Sequence, residues 1–310
     1  PGTLPAGAAA HCFQFDQPVN SVLHLADPAG AGDVQGEILD GQYQPRCQVR
    51  YTTRCTLTEP GPYRLFLYEY YGDEADYTLR MPRISHAAGC PALPLASFGD
   101  PGAAAGTGTV VRNEEVTCHA LTAASAAAVV VRINPDQLLG WTIFDADGQA
   151  VCDRYANGRH CPLPVAGDYT LLIENQNDFG DPTDYEIAVA EMSQTGGCAA
   201  ATGTSWDQPA LLVHQTSAVQ TNCQPFTGEA GDRVIAYAAP TVYNETFAWI
   251  VDGAGTEICT GPSDGEDGCV LPATGTYRVI SHLARWDGES QDLTYRMQVR
   301  RLSAPVGCPT

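Results

Sequence analysis

Gly167-Asp-Tyr-Thr-Leu-Leu-Ile173 is a short sequence whose pattern occurs three times along the chain. Its counterparts are Gly61-Pro-Tyr-Arg-Leu-Phe-Leu67 and Gly275-Thr-Tyr-Arg-Val-Ile-Ser281. Each copy begins at a glycine and continues with β-branched, aromatic and leucine residues, which is typical of a strand packed on a core. The glycine lies six residues after a cysteine in every copy. The repeated strand therefore predicts a β fold built from repeated units.

The twelve cysteines show how long one unit is, because they form three sets of four with nearly equal gaps. The sets are Cys12, Cys47, Cys55 and Cys90; Cys118, Cys152, Cys161 and Cys198; and Cys223, Cys259, Cys269 and Cys308. An Ile-x-Asp element precedes each second cysteine, and a tyrosine lies thirteen residues before each fourth one. The period of about 105 to 110 residues is the size of a domain. We predict domains at 1–90, 91–198 and 199–310.

Short strand-like runs separated by Asp-Gly and Asn-Gly turns fill each repeat, and no amphipathic helix of three turns interrupts them. This pattern predicts an all-β protein of three tandem, disulfide-stapled β-sandwiches with a jelly-roll-like arrangement. Twelve cysteines without any C-x-x-C pair favour disulfides over zinc, and hence an extracellular or cell-surface location.

Four cysteines per repeat allow three pairings. We favour a bond between the second and third cysteine, clamping a hairpin: Cys47–Cys55, Cys152–Cys161 and Cys259–Cys269. The first and fourth cysteines would then close each sandwich: Cys12–Cys90, Cys118–Cys198 and Cys223–Cys308.

The stretch Cys223-Gln-Pro-Phe-Thr-Gly-Glu-Ala-Gly-Asp-Arg-Val234, followed by Ile-x-Asp, Gly-x-Tyr and a closing tyrosine strand, resembles the bacterial pre-peptidase C-terminal domain. The resemblance covers the whole chain, three times over. It implies a jelly-roll β-sandwich of the kind appended to secreted proteases and other exported proteins. The second repeat departs from the pattern, with Ala-Ala-Ser-Ala-Ala-Ala in place of Ala-Gly-Asp.

Charge and composition exclude several classes of partner. With 36 acidic and 16 basic residues the net charge is −20, which repels nucleic acid. No apolar run is long enough to insert into a membrane.

Catalytic motifs are weak, so we predict that the chain is not an enzyme. Ser263 lies in a literal G-x-S-x-G, but the motif falls in a turn between two cysteines rather than between a strand and a helix. The seven histidines occupy no repeated register, and we expect most of them at the surface.

Acidic loops and aromatic residues precede the closing strands. We expect these loops to be solvated and to need no cofactor. The best candidate for a Ca²⁺ site is the second loop, with Asp178, Asp181 and Asp184 as ligands and Asn175 and Asn177 adding oxygens. Tyr68, Tyr70 and Tyr71, together with Phe179 and Trp286, are candidates for contacts with glycans or proteins.

The first repeat has only 1–11 where the others have a first strand, and this segment has little strand character. We therefore expect its first strand to be missing and supplied by upstream sequence or by a neighbouring chain. The expected function is a structural or adhesive extracellular module of a secreted bacterial protein, acting as a spacer, surface or fibre element. Its partners would be neighbouring domains or chains. The alternative is an accessory region of a secreted hydrolase that binds carbohydrate or protein.

Overall fold

The computed structural model describes residues 1–7, 10–26, 33–49, 53–111, 116–157, 159–176, 182–240, 245–259, 268–284 and 293–308. The all-β prediction is confirmed, because the chain forms three sandwich units in sequence order. The helices among these residues are short: a 3-10 turn at Gly102–Ala104 and α1 at Arg154–Asn157. None of the described helices has the length and apolar character needed to cross a membrane.

Domain 1 contains eight strands. They are β1 (Gly2–Leu4), β2 (Ala10–Phe15), β3 (Ser21–His24), β4 (Val34–Leu39), β5 (Pro45–Val49), β6 (Arg54–Leu57), β7 (Tyr63–Glu69) and β8 (Ala75–Tyr77). One sheet has the order β2-β7-β4-β5, and the facing layer consists of two pairs, β1-β8 and β3-β6. The segment after β8 continues alongside β3 through an isolated bridge between Leu23 and Arg83. The His24 N–H donates to the Pro82 carbonyl (2.9 Å), and the Ile84 N–H donates to the Val22 carbonyl (2.9 Å).

Domain 2 repeats this arrangement with longer strands. They are β9 (Gly106–Val110), β10 (Val116–Ala123), β11 (Ala127–Asn134), β12 (Leu139–Phe144), β13 (Ala150–Asp153), β14 (Cys161–Leu163), β15 (Gly167–Asn175) and β16 (Thr183–Glu191). The sheets are β10-β15-β12-β13 and β14-β11-β16-β9, and all pairings are antiparallel.

Domain 3 has the same strand order. Its strands are β17 (Leu211–Gln215), β18 (Asn222–Gly228), β19 (Arg233–Pro240), β20 (Glu245–Val251), β21 (Glu257–Cys259), β22 (Cys269–Val270), β23 (Gly275–Ala284) and β24 (Leu293–Arg301). The sheets are β18-β23-β20-β21 and β17-β24-β19-β22. Each domain has its own buried cluster of apolar side chains between its two layers.

The expectation that domain 1 lacks its first strand is wrong. β1 pairs antiparallel with β8 in the same chain, just as β9 pairs with β16 and β17 with β24. Leu4 lies opposite Ala75 and is completely buried in the core. Three residues with one inward leucine suffice for this edge strand, so it leaves no slot for a donated strand.

Two of the repeated sequence elements have structural roles that explain their fixed spacing. The aspartate of each Ile-x-Asp closes a turn, as Asp145 does by accepting N–H bonds from Asp147 (3.0 Å) and Gln149 (2.8 Å). The tyrosine of each Gly-x-Tyr is buried, and its hydroxyl reaches the carbonyl four residues earlier, as in Tyr169 to Val165 (2.7 Å). Sequence offsets thus record hydrogen bonds within the fold.

The second and third cysteines of each repeat are bonded as predicted, with Cα–Cα distances of 5.8, 5.6 and 5.9 Å. However, they do not clamp a hairpin within one sheet. Cys47 lies in β5 and Cys55 in β6, which belong to opposite layers, and the pairs in the other domains have the same placement. These bonds therefore join the two layers of each sandwich at one edge.

The predicted bonds between first and fourth cysteines are wrong. The structure pairs Cys90 with Cys118 and Cys198 with Cys223, at Cα–Cα distances of 5.3 and 4.6 Å. Cys12 and Cys308 are unpaired and exposed. The fourth cysteine of one repeat thus reaches the first cysteine of the next, because the edge strand that carries the latter packs against the end of the preceding domain.

Candidate functional site

The junction between domains 1 and 2 is a buried apolar contact beside the Cys90–Cys118 bond. It brings together residues from both domains and from the segment after β8: Val22, Ala26, Ile84, Val116, Phe144 and Leu172. Val116 and Leu172 belong to the outer face of the β10-β15-β12-β13 sheet, which in an isolated sandwich would face water. Burial of this face fixes domain 2 against domain 1.

Polar groups complete this junction. His24 Nε2 lies 3.3 Å from Glu174 Oε1, and an Arg54 guanidinium N–H donates to the carbonyl of Gly148 in the next domain. Burial, with a smaller contribution from Arg54, lowers the pKa of His24 to about 4. Burial also raises the pKa of Glu174. At neutral pH the imidazole is therefore uncharged, and it lies beside the Glu174 carboxyl group.

The junction between domains 2 and 3 repeats the design with a larger apolar cluster. Trp249 is completely buried there with Ile280, and they share the cluster with Phe98, Ala128, Val130, Ala190, Met192, Cys223 and Val251. The guanidinium of Arg278 crosses the boundary, donating to the carbonyl of Ser193 (2.8 Å) in one domain and to that of Asp252 (2.9 Å) in the other. Arg278 therefore links the two domains by hydrogen bonds to the backbone of both.

A turn of the following domain approaches the preceding one closely at each junction. Gly148 has φ +71°, and a Cβ there would lie 2.8 Å from Val22 Cβ of domain 1. Gly255 has φ +85°, and a Cβ there would lie 2.8 Å from the Ser193 nitrogen of domain 2. Both glycines lie three residues after the turn-closing aspartate, so one turn serves the two junctions in the same way.

The calcium prediction falls largely outside the described residues, since Asn177, Asp178 and Asp181 lie there. Asp184 is exposed and accepts a hydrogen bond from Thr109 Oγ1 (2.5 Å). Asn175 is buried and donates to the Val110 carbonyl (3.3 Å), which gives it a structural role. Over the described ranges no group of three or more His, Cys, Asp or Glu residues is placed to hold a metal.

Aromatic candidates are best represented on domain 1, because Phe179 and Trp286 lie outside the described residues. Tyr70 and Tyr71 are 61% and 73% exposed and stack edge to face, with ring centroids 5.1 Å apart. Tyr68 is half-buried beside Phe66. The first pair presents two rings to solvent on one loop.

The catalytic candidates of the sequence were Ser263 and the histidines. Ser263 lies outside the described residues. The expectation that most histidines lie at the surface holds for four of the seven, since His86 and His214 are exposed and His11 and His160 are half-buried. The other three, His24, His119 and His282, are buried. His119 hydrogen-bonds the Tyr185 hydroxyl (2.8 Å), and burial lowers the pKa of both His119 and His282. These residues fill structural positions that carry no periodic apolar signal, which is why the sequence does not reveal them.

An open cleft of about 420 Å³ lies beside the Cys198–Cys223 bond. Its lining includes Asp100, His214 and Gln220. The amide of Gln220 bonds to the His214 carbonyl (3.1 Å) and the Asn222 side chain (2.8 Å), so its polar atoms hold the cleft wall together.

Comparison with known proteins gives distant structural likenesses. No family model matches the chain. No curated protein matches it either. A candidate secreted protein from Eubacterium rectale is similar over 69% of this chain and 80% of its own length, at 10% identity and a TM-score of 0.22. The pre-peptidase C-terminal domain of a collagenase from Bacillus anthracis is similar over 32% of this chain and 93% of its own length, at 15% identity and a TM-score of 0.25.

Proposed function

We propose that the chain is a non-enzymatic, extracellular structural module that holds its three domains at fixed orientations, as a stiff spacer within a secreted protein. The observation that carries this proposal is the construction of the two junctions. Each combines a disulfide, a buried apolar cluster and an arginine whose hydrogen bonds cross the boundary. A flexible linker between independent domains would need none of these.

The five disulfides among the described residues support an extracellular location, since such bonds persist where the environment is oxidising. An adhesive role at a cell surface or in a fibre is compatible with the same construction.

The experiment is small-angle X-ray scattering of the wild type and of two variants that each lose disulfides. Removing both junction bonds (C90S/C118S with C198S/C223S) should broaden the distribution of distances within the molecule. Removing a bond between layers (C47S/C55S) is the matched control and should leave the relative orientation of the domains unchanged. A broad distribution for the wild type, as expected for beads on a flexible string, would contradict the proposal.

An accessory binding region is the second candidate, and the exposed Tyr70–Tyr71 pair favours it. Exposed aromatic rings provide stacking area for sugar rings and anchor points for protein partners. The test is binding of the wild type and the Tyr70→Ala/Tyr71→Ala variant to a glycan array, with Tyr155→Ala, another exposed tyrosine at 77%, as the control. If the two tyrosine variants bind alike, or the wild type binds no glycan, this reading of the pair is wrong.

A further inference from the structure

The two unpaired cysteines occupy positions that are bonded everywhere else in the chain. Cys12 lies opposite Phe66 in the β2–β7 pair, as Cys118 lies opposite Leu172 and Cys223 opposite Ile280. Each of the latter two cysteines is bonded to a cysteine that follows the preceding domain. Cys12 thus has the position of the cysteine that the following domain contributes to a junction disulfide, which we call the receiving position.

Cys308 has the position of the cysteine that the preceding domain contributes to a junction disulfide, which we call the donating position. It follows Tyr295 by thirteen residues, as Cys90 follows Tyr77 and Cys198 follows Tyr185. Both Cys12 and Cys308 are exposed. Both junction bonds join a donating to a receiving position. We therefore expect Cys308 to bond to Cys12, and neither cysteine to bond to its own counterpart in a second copy.

The surfaces around these thiols also correspond to the two faces of a junction. Phe66 takes the place of the buried Leu172 and Ile280, yet it is 39% exposed. Next to it, opposite Phe66 on β4, stands Glu37, in the position that Trp249 occupies opposite Ile280. The outer sheet face of domain 1 is therefore a junction face that carries a carboxylate.

The matching face of domain 3 carries arginines. Arg233 stands where domain 2 has Ala128, one residue before the partner of the third cysteine in both domains. Arg300 stands where domain 2 has Ala190, but its side chain is buried and its guanidinium donates to the Gln208 carbonyl (2.6 Å), so Arg233 is the exposed charge of this face. Both alanines share the buried cluster of Trp249. In domain 1 the position of Trp249 is taken by Glu37, and in domain 3 the position of Ala128 is taken by the exposed Arg233, so two groups of opposite charge replace this apolar contact.

We propose that two copies of this chain join head to tail through a disulfide between Cys308 of one and Cys12 of the other, with Glu37 facing Arg233 across the new junction. Repetition of this contact generates an open chain of copies, since donating and receiving faces lie on different domains. The two thiols lose two electrons and two protons, and a low-molecular-weight disulfide such as oxidised glutathione accepts them and becomes two thiols.

The junction between copies differs from the internal ones at one position. Tyr43 replaces the glycine of the close-approach turn; it has φ 62°, and its side chain is 63% exposed. A side chain there excludes the close approach made at Gly148 and Gly255. The bond and the charged pair therefore hold this junction, which makes it looser and separable by reduction.

The test uses two variants of the 310-residue protein, each with one free thiol. C308S retains Cys12, and C12S retains Cys308. Mixed in equal amounts in a glutathione redox buffer, they should give mainly the mixed dimer on non-reducing gels, well above the half expected from random pairing. Peptide mapping of wild-type oligomers should recover Cys12 linked to Cys308.

Random or like-with-like pairing, no dimer at all, or a bond between Cys12 and Cys308 within one molecule would overturn the proposal. Charge reversal separates docking from simple thiol reactivity. Glu37→Arg should slow formation of the mixed dimer severalfold, whereas Glu74→Arg, an exposed reversal on a loop of the same domain, should not. Equal rates for these two variants would also overturn it. The spacer proposal is unaffected by either result, because it depends only on the internal junctions.

Discussion

Replacing Gly255 by alanine tests the close approach of domain 3 to domain 2. Gly255 is buried with φ +85°, a conformation that costs an L-residue about 1–2 kcal/mol. The new Cβ would also lie 2.8 Å from the Ser193 nitrogen and 3.0 Å from the Met192 carbonyl carbon. Both atoms are backbone of the neighbouring domain and cannot move aside as a flexible side chain would. Overpacking of this kind adds about 1–3 kcal/mol.

Gly231 provides the matched control within the same domain. It has the same φ of +85° but is exposed, and a Cβ there would meet nothing within 4 Å. Gly231→Ala therefore carries only the backbone cost, and the difference between the two variants isolates the contact between domains. We expect Gly255→Ala to lower the free energy of unfolding by about 1–3 kcal/mol more than Gly231→Ala does.

The assay is urea unfolding of both variants and the wild type under non-reducing conditions, followed by circular dichroism. Limited proteolysis of the native proteins should show faster cleavage between domains 2 and 3 in Gly255→Ala only. If the two variants are destabilised equally, within about 0.5 kcal/mol, the domains do not touch at this turn and the reasoning about the junction is refuted.

Two further outcomes concern the junction between domains 1 and 2. The Cys90→Ser/Cys118→Ser variant opens a loop of 28 residues and should lose about 3.5 kcal/mol on the chain-entropy account, measured by urea unfolding; a loss under about 1 kcal/mol would speak against a bond that constrains the unfolded chain. Because the folded pKa of His24, about 4, lies below its unfolded value of 6.5, the unfolded state binds more protons between these values. The stability contributed by neutral His24 is therefore complete above pH 6.5 and decreases as pH falls towards about 4. The raised pKa of Glu174 acts in the opposite sense, so the net slope is smaller wherever both groups titrate. His24→Gln should flatten this part of the stability profile, and an unchanged profile would contradict the burial of the imidazole.

The fold could be predicted from the sequence because its repeated residues report local hydrogen bonds. The Ile-x-Asp and Gly-x-Tyr spacings each correspond to bonds within a few residues, which any single repeat contains. The layer-joining disulfides are equally local, with separations of 8 to 10 residues. Contacts of this range survive in sequence as fixed offsets.

The junctions could not be predicted in the same way. The repeated spacing shows which cysteines are equivalent in the three repeats, but it does not show which cysteines form disulfides with each other. Cys90 lies 28 residues from Cys118 but 78 from Cys12, so closing the loop to the next repeat costs less entropy. That comparison favours the observed pairing, yet it needs the packing of one domain on the next to be decisive. Outer-face residues such as Leu172 and Trp249 look like ordinary strand residues in the sequence. Their role appears only when two sandwiches are placed together.

The short β1 escaped prediction for a different reason. Gly2-Thr-Leu4 is held by one buried leucine and by a hydrogen bond from Thr3 to Asp76 (2.5 Å), rather than by alternation. A three-residue edge strand has too few residues to show a period of two.

The disulfides at the junctions also determine how the molecule transmits tension. A pull on the two ends passes from Cys90 directly to Cys118, and from Cys198 directly to Cys223. The intervening segments, which contain the paired strands β9 and β17, lie outside that path and bear no load while the bonds are intact. Each junction can therefore lengthen only after its disulfide is reduced, when the bypassed residues enter the path. Under reducing conditions each junction therefore gains the length of its bypassed segment, 28 residues at the first and 25 at the second.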